Sequence, residues 1–241
     1  MTPRAVGVVI PAHNEEHRIS ACLRSVQVAA ARAAPIPVVI VVTADACTDA
    51  TAAVAVRGGA HVVSTGSHNV GAARTVGTKR ALELLEDAGP DVWLAMTDAD
   101  STVPTAWLTH QMDWARRGYD VVLGTIRLAP TTTALFLEAR HNTHYFRTRR
   151  VSETHKAWEH PHVHGANLGV SALAYLRVGG FASLPTGEDR DLAARLSEAG
   201  HRIARTDQHP VHTAARLHGR APGGLSDLLA SLHPALTRPA A

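Results

Sequence analysis

Val92-Trp93-Leu94-Ala95-Met96-Thr97-Asp98-Ala99-Asp100-Ser101 begins as an uncharged apolar run and ends on two carboxylates one residue apart. A strand buried on both faces reads this way when its C-terminal end delivers acids to the open edge of a parallel sheet. Neighbouring carboxylates repel unless a proton or a cation intervenes. Hard divalent ions such as Mg2+ or Mn2+ take oxygen ligands and keep positions for phosphate. The stretch therefore predicts a metal-diphosphate site. Its plainer alternative is a strand end followed by an Asp/Ser turn, because both residues are common turn formers.

Upstream, Val6-Gly7-Val8-Val9-Ile10 is a β-branched run closed by Pro11, and Asn14-Glu15-Glu16 can cap and charge a helix over residues 15–33. Val38-Val39-Ile40-Val41-Val42 repeats the pattern, followed by the polar turn from Thr43 to Asp49 and a short helix that Gly58-Gly59 stops. Ala60-His61-Val62-Val63-Ser64 predicts a third strand, and a helix over 70–86 leads into the strand carrying Asp98 and Asp100. Alternating strands and helices imply parallel pairing with right-handed crossovers, and ligands then gather beyond the C-terminal strand ends. Residues 11–15, Asp45 and Asp98 to Asp100 all fall there.

Further along, the pattern predicts a helix over 104–117, a strand over 120–124 and a helix over 132–149. Residues 151–163 are polar, His-rich and without periodicity, which predicts a loop. Helices are expected over 166–177 and 188–199, separated by Gly179-Gly180-Phe181, then a strand over 201–205 and an amphipathic stretch over 225–232. No repeat or linker divides the chain, so one domain is expected over 1–241, with 234–241 a fraying tail.

At 241 residues and 45% hydrophobic content the chain can bury a sizeable core. Its 24 Lys+Arg against 21 Asp+Glu, with no basic run, give no case for a nucleic-acid partner, while a small anionic substrate fits. Cys22 in a helical pattern and Cys47 in a turn read as reduced thiols of a cytoplasmic protein. No apolar stretch nears the roughly 20 residues of a membrane span. Peripheral membrane contact and a homodimer are both compatible with this composition.

Taken together, Val9-Ile10-Pro11-Ala12-His13-Asn14-Glu15-Glu16, Asp45 with Thr48-Asp49-Ala50-Thr51, Gly71-Ala72-Ala73-Arg74, Asp98-Ala99-Asp100, Gly165-Ala166-Asn167 and Gly187-Glu188-Asp189-Arg190-Asp191-Leu192 resemble, in order, the motifs of family 2 glycosyltransferases. The resemblance spans nearly the whole chain. It implies a GT-A fold, an α/β architecture with a Rossmann-like, mostly parallel sheet flanked by helices and a C-terminal acceptor-binding portion. Residues 1–103 would bind the nucleotide sugar, and 104–233 would bind the acceptor and carry catalysis.

The resemblance further implies that Pro11, Ala12 and Glu15 line the nucleoside pocket and that Asp45 faces base or ribose. Here Thr43-Ala44 precedes Asp45, so this strand end offers one carboxylate where the common pattern offers a pair. Arg74 is expected to pair with phosphate or nucleoside. Asp100 becomes the direct ligand of Mg2+ or Mn2+, with Asp98 on the ribose or a metal-bound water, and a late histidine, His212 or His218, a further ligand. Asp189 resembles the general base of inverting members, with Glu188 orienting the acceptor or the base. Gly165 and Asn167 would face the acceptor. By themselves, Glu188 and Asp189 also suit a helix N-terminus, where carboxylates are favoured electrostatically.

His155, His160, His162 and His164 crowd one region, and the spacing of the last three would put them on one face of an extended strand, where imidazoles can bind Zn2+. No Cys or acid completes such a set, so a loop gating the acceptor site is the competing reading. Arg216 and Arg220, near Gly223-Gly224, could grip diphosphate or an anionic acceptor, and Trp107, Trp158 and Tyr145 are the few candidates for sugar stacking.

The reading that follows is a divalent-metal-dependent transferase, moving a hexose from a nucleotide diphosphate sugar to a small or lipid-linked acceptor with inversion. A nucleotidyltransferase would need a glycine-rich basic loop for triphosphate, which Pro11-Ala12-His13-Asn14 is not. A noncatalytic nucleotide-sugar-binding protein would share the donor pocket and need neither Asp189 nor Asn167.

Overall fold

The structure, a computed structural model, describes residues 2–129, 139, 143, 145, 147–151 and 158–215. Most of the helix expected over 132–149 lies outside the described residues. So do His155, the side chain of Trp158, Arg216, His218, Arg220, Gly223-Gly224, the stretch 225–232 and the tail 234–241.

The first half follows the alternation read from the sequence. Strand β1 (Ala5–Ala12) leads to helix α1 (Ile19–Arg32), β2 (Val38–Asp45) to α2 (Thr51–Arg57), and β3 (His61–Thr65) to α3 (Val70–Leu84) and β4 (Val92–Met96). Beyond it come β5 (Ser101–Thr102), α4 (Trp107–Arg116), β6 (Val121–Leu128), a small hairpin of β7 (Arg150–Val151) and β8 (Trp158–Glu159), β9 (Leu168–Ser171), α5 (Ala172–Arg177), α6 (Glu188–Glu198) and β10 (Ile203–Thr213). Apart from the hairpin, the strands form one eight-stranded sheet in the order β3-β2-β1-β4-β9-β6-β10-β5. Pairing is parallel except at β9, which is antiparallel to both β4 and β6, and at β5 against β10.

Both faces of the central strands are covered, which is why β1 and β4 carry no polar alternation. Val6, Val8 and Ile10 pack on one side with Ile19, Leu23 and Val26 of α1 and Trp107, Leu108 and Met112 of α4. Val9, Leu94 and Met96 face the other side, with Ala81 of α3 and Leu192 and Leu196 of α6. Close approach of α3 to the sheet depends on Gly77, where a Cβ would stand 2.7 Å from Val9 Cγ1.

Two expectations are corrected. Residues 166–177, read as one helix, divide into β9 and α5. Only four residues form the strand, too few to show a period, and Ser171 then caps α5 by accepting from Ala174 N at 3.1 Å. The late strand runs to Thr213, well past residue 205, and contains Pro210. Its register against β6 shifts between Thr206 and Val211, and a bulge is where a strand tolerates a residue that cannot donate to the ladder.

His160 fills the gap beside that bulge. It is 1% exposed, and its Nε2 lies 3.2 Å from both the Leu123 and Thr206 carbonyls, so the neutral ring donates there. Burial pushes its pKa down from 6.5 to about 4, and His110 is pushed down to about 4 by burial and then by His209. The folded state holds these rings neutral while the unfolded chain protonates them. Stability from this source is therefore complete above pH 6.5 and is lost as pH falls toward 4. For His160 the slope is about 1.4 kcal/mol per pH unit, one proton's worth. Across that window the urea midpoint of the wild type should fall more steeply than that of His160→Gln; equal slopes would refute the assignment.

Candidate active site

The loops following β1, β2 and β3 meet at the C-terminal edge of the sheet. Each holds one non-glycine residue at positive φ: Asn14 at 52°, Ala46 at 48° and His68 at 47°. Such conformations cost on the order of 1–3 kcal/mol and persist only where neighbours enforce them. The enforcement is visible. Asn14 Oδ1 accepts from Thr48 N at 2.8 Å, Glu16 Oε2 from Ala50 N at 2.9 Å, and Thr51 Oγ1 from Glu15 N at 2.7 Å. Pro11 and Ala12, both buried, end β1 beside Thr43 and Ala44, and Glu15 is buried just beyond.

Asp45 is engaged by the chain itself. Its Oδ1 accepts from Ser67 Oγ and His68 N, both at 3.0 Å, and its Oδ2 from Asn69 N at 2.8 Å. The carboxylate is 5% exposed and holds the turn that starts α3. Asn69 continues that turn as the N-cap, accepting from Ala72 N at 2.8 Å and donating to Leu184 O at 2.7 Å.

One turn into α3, Arg74 is buried at the centre of the site. Its Nη2 donates to Asp98 Oδ1 at 2.7 Å and its Nη1 to Glu188 Oε1. Burial works against the guanidinium's charge, but Asp98, Glu188 and Asp189 outweigh it and hold the pKa above the usual arginine value. Glu188, also buried, and Asp98 are raised, in both cases chiefly by removal from water, with Arg74 opposing; Asp189 adds to Glu188 and Asp100 to Asp98. Both terminal nitrogens of Arg74 thus donate to carboxylates of the chain itself. The motif glycines make room for this arrangement. A Cβ on Gly165 would collide with the guanidinium, and one on Gly71 would stand 3.1 Å from Glu188 Cβ.

Asp189 sits one residue into α6. Its Oδ2 accepts from Gly165 N and its Oδ1 from Arg190 N, both at 2.8 Å. Gly165 thus engages Asp189 through its backbone. Asn167 is 3% exposed, with Oδ1 accepting from Trp107 Nε1 at 2.9 Å and Nδ2 donating to Thr125 O at 2.9 Å and His209 O at 3.1 Å. Both amide hydrogens are spent inside the fold. Asn167 therefore ties the start of β9 to α4, β6 and β10. Trp107 is likewise a core residue, 1% exposed, and does not offer a face for sugar.

Asp100 lies at the β5 edge, its Oδ1 3.4 Å from the hydroxyls of Ser101 and Thr213. Register pairs His212 with Thr102 and Thr213 with Ser101. Successive strand residues point to opposite faces, and it is the Thr213 hydroxyl that lies toward Asp100. Among the described residues no three His, Cys, Asp or Glu side chains form a group that could hold a metal ion. Asp98 and Asp100 nonetheless fit one: they are hard oxygen donors, and three carboxylates, Asp98, Glu188 and Asp189, act on the single Arg74 guanidinium with Asp100 beside Asp98, an imbalance that a divalent cation bound with a diphosphate would offset.

The histidines do not make a zinc site. His160, His162 and His164 stack with centroids 5.9 Å apart and interplanar angles of 17°. Parallel rings at that spacing cannot bring three nitrogens within roughly 2.0–2.1 Å of one ion.

Glycosyl transferase family 2 is the family whose model matches, over residues 7–175. The chain belongs to that family. The match takes in every motif of the donor side and the Gly165-Ala166-Asn167 loop, and stops short of Glu188 and Asp189. Among solved structures, the mannosyltransferase PcManGT from Pyrobaculum calidifontis, determined with GDP-Man and Mn2+, superposes with TM-score 0.60 at 22% identity over 91% of this chain and 59% of its own. Staphylococcus aureus TarS with UDP-GlcNAc gives 0.63 at 16% identity over 95% of this chain and 65% of its own. The fold of this family 2 member is therefore GT-A, and the chain spans about three fifths of those neighbours. No curated protein matches the sequence. Among the described residues no helix is long and apolar enough to cross a membrane.

Proposed function

We propose that the protein is a glycosyltransferase that moves a sugar from a nucleotide diphosphate sugar to an acceptor hydroxyl, with inversion at the anomeric carbon. The observation that carries this reading is Arg74, which joins the Asp98 side of the site to the Glu188-Asp189 turn across two parts of the chain. Leaving-group chemistry and acceptor activation belong at such a pair of poles. The GT-A neighbours with GDP-Man and UDP-GlcNAc support the donor class.

On this reading the loops at residues 11–15 and 45–51 hold the nucleoside, and residues 104–233 meet the acceptor. Asp100 and Asp98 would hold Mg2+ or Mn2+, which would offset the charge developing on the departing diphosphate. Asp189, aimed by the Gly165 and Arg190 amides, takes the acceptor hydroxyl's proton as that oxygen forms the new C–O bond and the bond to diphosphate breaks. Arg74 keeps both acids in place and Glu188 serves as its second anchor. The free thiols of Cys22 and Cys47 fit work in the cytoplasm.

Thermal denaturation with a panel of nucleotide sugars and Mn2+ or Mg2+, followed by donor turnover, tests this. A donor at a hundredfold excess over its Kd stabilises by about 2.7 kcal/mol, and for a chain of this size each kcal/mol raises Tm by roughly 2–4 °C. One donor class should produce that shift only with metal present, and Asp100→Ala should abolish it. An undiminished shift in Asp100→Ala would remove the metal role, and absence of any donor effect would remove the function.

A further inference from the structure

Beyond Gly165 the site continues into a feature that the donor chemistry does not use. The segment from His160 to His164 is held by side chains. His160 plugs the β10 bulge, and Arg205 Nη1 reaches the carbonyls of His160 and His162, each at 3.3 Å. Tyr145 closes one side, 5.7 Å from the His162 ring, and Thr148 Oγ1 is 3.0 Å from His162 Nε2. Tyr145 and Arg149 both engage Asp207, at 2.6 and 3.3 Å, so that carboxylate is already balanced. Arg150 and Arg205 lie in the same neighbourhood with Glu159. Among the described residues three guanidiniums, of Arg149, Arg150 and Arg205, thus stand with two carboxylates, of Asp207 and Glu159, near the two half-buried imidazoles, whereas the donor side is crowded with carboxylates. His164 adjoins Gly165, whose amide holds Asp189, and His162 stacks on the far side of His164.

We infer that His162 and His164 form an acceptor subsite that takes an anionic group, a phosphate or carboxylate, on the molecule whose hydroxyl Asp189 deprotonates. The inference rests on the transferase reading for the hydroxyl but not for the anion. Imidazole edges and nearby guanidiniums are suited to charge-assisted hydrogen bonds with such oxygens. The ladder leads away from Asp189, so an acceptor lying along it places its charge clear of Asp98 and Asp100.

Two measurements on the full chain test it. Imidazole Cε1–H resonances of His162 and His164 are followed by NMR during titration with glycerol 3-phosphate, with glycerol, and with vesicles containing phosphatidic acid. Both resonances should move with a phosphate-bearing probe and not with glycerol; the soluble and vesicle arms tell a small acceptor from a lipid-borne one. In turnover with the donor found by thermal shift, glycerol 3-phosphate should be preferred to glycerol at least tenfold in kcat/KM, and His162→Gln with His164→Gln should erase that ratio. Resonances unmoved by either phosphate probe, or a ratio that survives both substitutions, overturns the subsite. Shifted resonances with no donor turned over would keep the anion site and sink the transferase reading, while turnover indifferent to acceptor charge would do the reverse.

Discussion

Asp189→Asn should lower kcat by about 10²–10⁴-fold, the range for loss of a positioned general base, and leave donor binding unchanged. The asparagine keeps an oxygen for the Gly165 amide but can no longer take the acceptor's proton. The contrasting role is electrostatic, a carboxylate in the first turn of α6. That role predicts a stability loss of typically 0.3–1 kcal/mol and normal turnover. Steady-state kinetics with calorimetric donor titration separates the two, and a variant retaining near-normal kcat would show that the base lies elsewhere.

Arg74→Met should produce the largest loss of stability in the molecule, about 3–5 kcal/mol, because removing one partner of a buried ion pair strands the other. Here the stranded partner is the 5%-exposed Glu188, while Asp98, 35% exposed, can turn to water. Chemical denaturation at pH 7 measures it. A role for Arg74 on phosphate alone predicts the contrary: the same change would raise the donor KM and barely alter the folding midpoint. Lowering the pH should shrink the difference between wild type and variant, since protonating Asp98 and Glu188 removes the charges that Arg74 serves.

How much of this was legible in the sequence depended on the range of the interaction. Strands β1, β2 and β4 carry long apolar runs because both faces are buried, so their positions and their acidic ends could be read directly. Arg74 was singled out, but its partners lie 24 and 114 residues away, and spacing alone could not say whether its guanidinium met phosphate or protein. Asn167 was found by resemblance, which carried no sign of its burial. Its real partners are an indole and two carbonyls from three other elements. For His212 the residue type suits a metal, but the pairing that sets its neighbour Thr213 toward Asp100 involves only two residues of β5, too few to leave a pattern. Arg205 and its grip on the histidine segment went unnoticed, since an arginine in a strand pattern carries no signal of the carbonyls it will meet.

The reversed strand β9 has an evolutionary corollary. Because it runs against β4 and β6, its entrance opens on the rim where the donor-side strands have their exits. Two substrates can therefore be served from one rim by segments that never share a strand. Under the proposed reading, the peptide ahead of β9 is free to diverge in length and charge, sampling new acceptors, while the loops that grip the nucleotide stay under separate selection.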